Sequence, residues 1–199
     1  MSEWRHALQH YLTQHAQPRD KFSHQPRLYA LACRLAGDAL FDDDILFAAC
    51  WLHDLGVFIG HRPADPAALA QWDNVAYAIA TVPGLLTRWG FAPHKIGAVQ
   101  EAIAQHHPEA RPTAIEAQLL HDADLLEQLG AIGLLRSLSK VGRDTRYATF
   151  SQILPVLQQA LLLAPHLLLP QARIEAEPKL ALLRAFLQAA QAESEGLPL

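Results

Sequence analysis

Within the apolar stretch ILFAACWLHDLG, residues 45–56, a histidine and an aspartate stand side by side as His53-Asp54. Burying an ionisable group without a partner is costly, and burying a charge more so. Two adjacent ones in a helix of leucine and alanine therefore require partners. An imidazole N–H paired with a carboxylate at a frayed helix end is one solution, and a shared metal ion is another. Neighbours on a helix point about 100° apart, so both can reach one ion only beside the last helical turn, which Gly56 would close. Matching residue types lie elsewhere. His24 opens SHQPRLYALA with Arg27 three positions on, so both can face one side, and HDADLLEQLG at 121–130 carries Asp122 and Asp124 in an apolar helical run. Two histidines and two aspartates from three helices would form an N₂O₂ set that balances the charge of one divalent ion. Positions left open for water and substrate mark such a site as catalytic rather than structural. Imidazole with carboxylate suits divalent metals, and ligand type alone does not choose among Mn, Ni, Fe, Mg and Zn. Asp122 and Asp124 differ by about 200° around a helix, so both cannot be aimed at one ion. Periodicity leaves the choice between them open.

The elements that must position these residues read as helices almost throughout. Ala, Leu and Gln dominate and β-branched runs are absent. A first amphipathic helix spans about 2–16 and stops before Pro18. A second begins near Pro26 and ends at Gly37. A third opens on Asp42-Asp43-Asp44, favourable at a helix N-terminus, and is expected to run to Gly56. Asp65-Pro66 caps AALAQWDNVAYAIA, which should stop before Pro83. PHKIGAVQEAIAQHH is helical up to Pro108, and TAIEAQLLHDADLLEQLG ends at Gly130. AIGLLRSLSKVG, a segment around 150–163 and PKLALLRAFLQAAQAE complete the chain.

The 199 residues suit one all-α domain with a sizeable core. Hydrophobic residues make up 51% and charged ones 18%, which is the balance of a compact globule. A net charge of −4 argues against bulk electrostatic binding of nucleic acid. Cys33 and Cys50 sit in helical contexts and suggest no disulfide framework, so the cytoplasm is the expected compartment. MSEWRHALQH lacks the pattern of a signal peptide. LLLAPHLLLP, 161–170, is far short of the roughly 20 residues of a membrane span and reads as a core segment.

His24, the pair His53-Asp54 and the later DADLLEQLGAIGLLR together resemble the H…HD…D signature of the HD-domain metal-dependent phosphohydrolases. AIAQH at 102–106 and the run at 122–136 are similar to the small bacterial HD proteins of the YedJ kind. The resemblance implies an HD-domain helical bundle, with a core at about 22–136 and a C-terminal extension over 137–199. It implies His24, His53, Asp54 and Asp124 as ligands of one divalent ion. The family's "AD.L" pattern falls on Ala123-Asp124-Leu125-Leu126, which favours Asp124, and leaves Asp122 to orient a histidine ligand or accept a proton. Many relatives carry arginine where Leu125 stands, so any role of that arginine is absent here.

Several other residues are candidates for the same chemistry. His106, at a helix C-terminus, could donate a proton or bind phosphate. Its neighbour His107 is a weaker candidate for the same role. Arg27, His61, Lys140, Arg143 and Arg146 are candidate phosphate or substrate contacts. Trp72 and Tyr77 read as core aromatics, Asp73 as an acid that could support a ligand, and His6, His10 and His15 as surface residues. The expected function is hydrolysis of a phosphomonoester, pyrophosphate or phosphodiester of a small molecule, with a nucleotide as the favoured class. Asp54 or Asp122 would accept the water's proton, and no nucleic acid or membrane partner is expected. A homodimer is one assembly open to it. The alternatives are a nucleotide-binding HD module without catalysis and, further off, a diiron oxygenase, which needs more histidine ligands.

Overall fold

The acidic triplet starts a helix, as its composition requires. In the computed structural model, which describes residues 2–17, 23–142 and 147–199, the Asp42 side chain accepts the amides of Asp44 and Ile45. Three adjacent carboxylates would repel one another, and two cations meet them. Arg5 lies 2.7 Å from Asp43 and 2.6 Å from Asp44. Lys95 lies 2.8 Å from Asp42 and 3.2 Å from Asp44. The Asp42 amide donates to Glu116 at 2.6 Å.

Among the described residues the chain forms ten α-helices and no strand, and none of the helices is long and apolar enough to cross a membrane. The chain divides into two compact units, Met1–His121 and Asp122–Leu199. In the first, α1 (Glu3–His15), α2 (His24–Ala36) and α6 (Ile96–Ala104) pack on α3 (Asp43–Leu52). Every residue of α3 from Leu46 to Leu52 is buried. Trp4 of α1 presents its edge to Phe47 and Phe91, the geometry aromatic quadrupoles favour. The first unit also holds α4 (Pro66–Ala70), α5 (Asn74–Arg88) and the start of α7 (Ile115–Glu127).

Several boundaries differ from the sequence expectation, among them α6, which ends at Ala104 rather than running up to Pro108. Helix α3 ends at Leu52, and Leu55–Val57 forms a separate 3₁₀ turn. Gly56 therefore does not end the helix; it permits close packing. A Cβ there would lie 2.4 Å from the Asn74 carbonyl oxygen, and the Gly56 carbonyl accepts the Trp72 indole N–H at 2.8 Å. The single helix expected after Asp65 is two, because Asp73 caps the second by accepting the amides of Val75 and Ala76. Its carboxylate is thereby given to the helix N-terminus. Helix α5 then continues through Pro83 to Arg88. A proline leaves the carbonyl four residues back without its helical donor, and Gln100 of α6 supplies one, donating to the Ile79 oxygen at 2.9 Å.

The second unit contains the end of α7, α8 (Gly130–Leu138), α9 (Leu154–Ala160), a 3₁₀ segment at Leu161–His166 and α10 (Pro170–Glu193). Helix α10 packs on α8, on α9 and on the 3₁₀ segment. It begins eight residues before the expected start and passes through Pro178. The 161–170 run is only partly core: Leu167 is buried, whereas Leu162 is 59% exposed. Gly130 takes φ +65°, and a Cβ on Gly133 would fall 2.1 Å from the Gln128 oxygen, so both glycines of GAIG are required. Arg136 lies 3.6 Å from the buried carboxylate of Glu127 and donates to its carbonyl.

Candidate metal centre

His53 follows α3 directly as its C-cap, where helix carbonyls lack intrahelical partners. Its Nδ1 lies 3.0 Å from the Cys50 carbonyl oxygen. A carbonyl only accepts, so Nδ1 carries the proton and Nε2 carries the lone pair a metal needs. His106 repeats the device just beyond α6, with Nδ1 2.6 Å from the Ile103 oxygen. Both rings are buried. The ring centroids of His24 and His106 each stand 5.3 Å from that of His53, edge to face. His24, buried at the first position of α2, directs Nε2 towards Asp54, 3.9 Å from Oδ2. The same oxygen is 3.5 Å from His53 Nε2. Asp54 is the more open member, its side chain 25% exposed against 1% for His53.

One ligand atom each from His24, His53 and Asp124 lie within 4.8 Å of one another. Two imidazole nitrogens and a carboxylate, with a second carboxylate on Asp54, are a donor set that fits a divalent transition ion. One helical turn beyond Asp124, Gln128 donates to its Oδ2 at 3.3 Å. The i, i+4 spacing of Asp124 and Gln128 could have shown this pair in the sequence.

Asp122 turns elsewhere. Fully buried, it accepts the Leu168 amide at 3.0 Å on Oδ1 and 2.9 Å on Oδ2, and the Leu169 amide at 2.7 Å on Oδ2. Its carboxylate thus binds backbone at the entrance to α10, a contact that the sequence did not show.

Arg27 is half-buried on α2, one turn from His24. His61 is half-buried and engaged by two hydroxyls. Its Nδ1 lies 2.9 Å from the Tyr77 hydroxyl and its Nε2 3.3 Å from that of Tyr11. Burial pushes its pKa down, and the charge of His15 adds to that. Trp72 packs against Tyr77, but both rings are only half-buried and lie outside the core expected of them. His107 stacks on His106 and is exposed. Lys140 follows α8, half-buried, its amide bonded to the Ser137 carbonyl. Arg143 and Arg146 lie outside the described residues.

A profile of the HD domain matches residues 22–129. No curated protein matches the chain. Among solved structures, Bacillus subtilis YpgQ in complex with ADP superposes with a TM-score of 0.68 at 17% identity, covering 96% of this chain and 98% of its own. The Lin1889 protein of Listeria innocua gives 0.71 at 20%, with 99% of each chain covered. An HD-superfamily hydrolase of Bacillus thuringiensis gives 0.66 at 20%, covering 97% and 95%. At these identities the likeness is one of fold.

Proposed function

Because the chain belongs to the HD-domain family, we propose that it is a metal-dependent phosphohydrolase acting on a phosphomonoester, pyrophosphate or phosphodiester, with nucleotides as the substrate class. The observation that carries this reading is the grouping of His24, His53 and Asp124, with Asp54 facing both histidines. These four residues would hold one divalent ion. Such an ion supplies a Lewis acid that polarises a phosphoryl oxygen and acidifies a nearby water.

The protein's own groups provide the rest. His53 holds its Nδ1 proton on the Cys50 carbonyl, so its ring cannot rotate away from the site without losing that bond. Asp54, half-buried at the site, accepts the proton of the attacking water through the oxygen it does not share with the histidines. His106, tethered in the same way as His53, presents Nε2 beside it and can hold or return a proton to the leaving oxygen. Arg27, one turn from His24, offsets phosphoryl charge. We assign the proton transfer to Asp54 rather than to Asp122, whose oxygens accept the Leu168 and Leu169 amides.

The ADP held by YpgQ supports a nucleotide as ligand, and equally favours a second reading in which this chain binds nucleotide without cleaving it. A phosphate-release screen over nucleotides and simple phosphoesters, with Mn²⁺, Ni²⁺, Fe²⁺, Mg²⁺ and Zn²⁺ in turn, separates the two. Wild type should release phosphate with at least one ion, and folded His53→Ala should not. Equal rates in the two proteins refute the hydrolase. Tight nucleotide binding with no release under any ion supports the binding module instead.

A further inference from the structure

Asp122 is a fully buried carboxylate on the helix that carries Asp124. A buried charge persists only where donors compensate it. Here the donors are the amides of Leu168 and Leu169, at 2.7–3.0 Å, with the positive end of α10 starting at Pro170. Charge-assisted bonds of this length are among the stronger ones in proteins. They join residues 46 and 47 positions apart in the chain, so they fix α7 against a segment remote in sequence. Asp122 and Asp124 point about 200° apart around α7. A clamp on one face therefore sets the rotation of the helix, and with it the direction in which Asp124 projects from the other face.

We propose that Asp122 is a positioning residue for the metal carboxylate Asp124, and that the entrance of α10 is the fixed point it works against. The inference deepens the metal-site reading and rests on it. A merely structural clamp would alter folding stability and leave ion affinity alone. A positioning clamp must do more. Coupling is reciprocal: if the clamp improves ion binding, ion binding must tighten the clamp.

Two measurements on the full chain test this. The first is Mn²⁺ affinity by calorimetry for wild type and Asp122→Asn, each shown folded by circular dichroism at the working temperature. The substitution preserves shape but turns an NH₂ towards a backbone N–H. Groups that orient metal ligands are typically worth 10–100-fold in affinity, so the dissociation constant should rise about tenfold or more. The second needs no variant and holds even if Asp122→Asn fails to fold. Hydrogen exchange of the Leu168 and Leu169 amides in wild type should slow several-fold on loading with Mn²⁺. Unchanged affinity in folded Asp122→Asn overturns the inference while leaving the metal site intact. Unchanged exchange at both amides on Mn²⁺ loading overturns it equally. Failure of wild type to bind Mn²⁺ overturns both the inference and the metal-site reading.

Discussion

Substituting Gly56 by alanine should destabilise the protein far more than one added methyl suggests. The new Cβ would lie 2.4 Å from the Asn74 oxygen, 2.8 Å from its Cα and 3.0 Å from its carbonyl carbon, where ordinary contact begins at 3.4 Å. All three neighbours are backbone, so no side chain can swing aside, and the 3₁₀ turn or the start of α5 must move. Moving the turn stretches the 2.8 Å bond from Trp72 to the Gly56 carbonyl. Overpacking typically costs 1–3 kcal/mol, and the rigid neighbours place this case near the top, at about 3 kcal/mol. A weakened hydrogen bond adds up to about 1 kcal/mol. For a chain of this size each kcal/mol lowers Tm by about 2–4 °C, so Tm should fall by roughly 6–16 °C in a thermal melt. Gly84 supplies the control. It lies inside α5 with nothing within 4 Å of its would-be Cβ, and alanine there should be neutral or stabilising by up to about 1 kcal/mol. A Gly56→Ala melt within 2 °C of wild type, or a Gly84→Ala loss as large as that of Gly56→Ala, would refute the close-packing account.

Lys95→Ala should flatten the acid limb of the stability curve. Burial pushes the Asp42 carboxyl up, but Lys95 and the amides of Ile45 and Asp44 outweigh it, and the group titrates below its ordinary value. The unfolded chain then binds the proton first. The pair's contribution is complete above the ordinary carboxylate pKa and is lost as pH falls through the lowered one. The slope of Tm against pH between about pH 2 and 5 should therefore decrease in the variant, and an unchanged slope would contradict the assignment. Gln128→Leu keeps the side-chain bulk but removes the donor to Asp124 Oδ2. Mn²⁺ affinity should weaken by about tenfold with little change in Tm, and equal affinity would show that Gln128 does not orient the ligand.

The helical class was legible because it rests on short-range rules, whereas the grouping of His24, His53 and Asp124 came from the resemblance to the HD proteins, periodicity having left Asp122 and Asp124 open. Acidic residues open helices, and His53-Asp54 in an apolar run needs partners. What escaped was set by contacts remote in sequence. Pro83 reads as a helix stop, yet α5 passes through it because Gln100 satisfies the Ile79 carbonyl from a neighbouring helix. Gly56 reads as a terminator, and only the approach of Asn74 reveals it as a packing glycine. Asp122 and Asp124 have the same chemistry and nearly the same neighbours along the chain. Leu168 and Leu169, more than forty positions away, distinguish them. His61, a candidate for the substrate mouth, is held between the hydroxyls of Tyr11 and Tyr77, an arrangement no local pattern encodes.

The two tethered rings also make helix length a determinant of the site. His53 and His106 each hand Nδ1–H to the carbonyl three positions back, at the point where a helix runs out of its own donors. One further residue of helix in α3, or two in α6, would recruit that carbonyl for the helix's own ladder. The ends of α3 and α6 therefore bear on the proposed metal site, and a one-residue insertion or deletion in either last turn should change which ring nitrogen is left free before it disturbs the core.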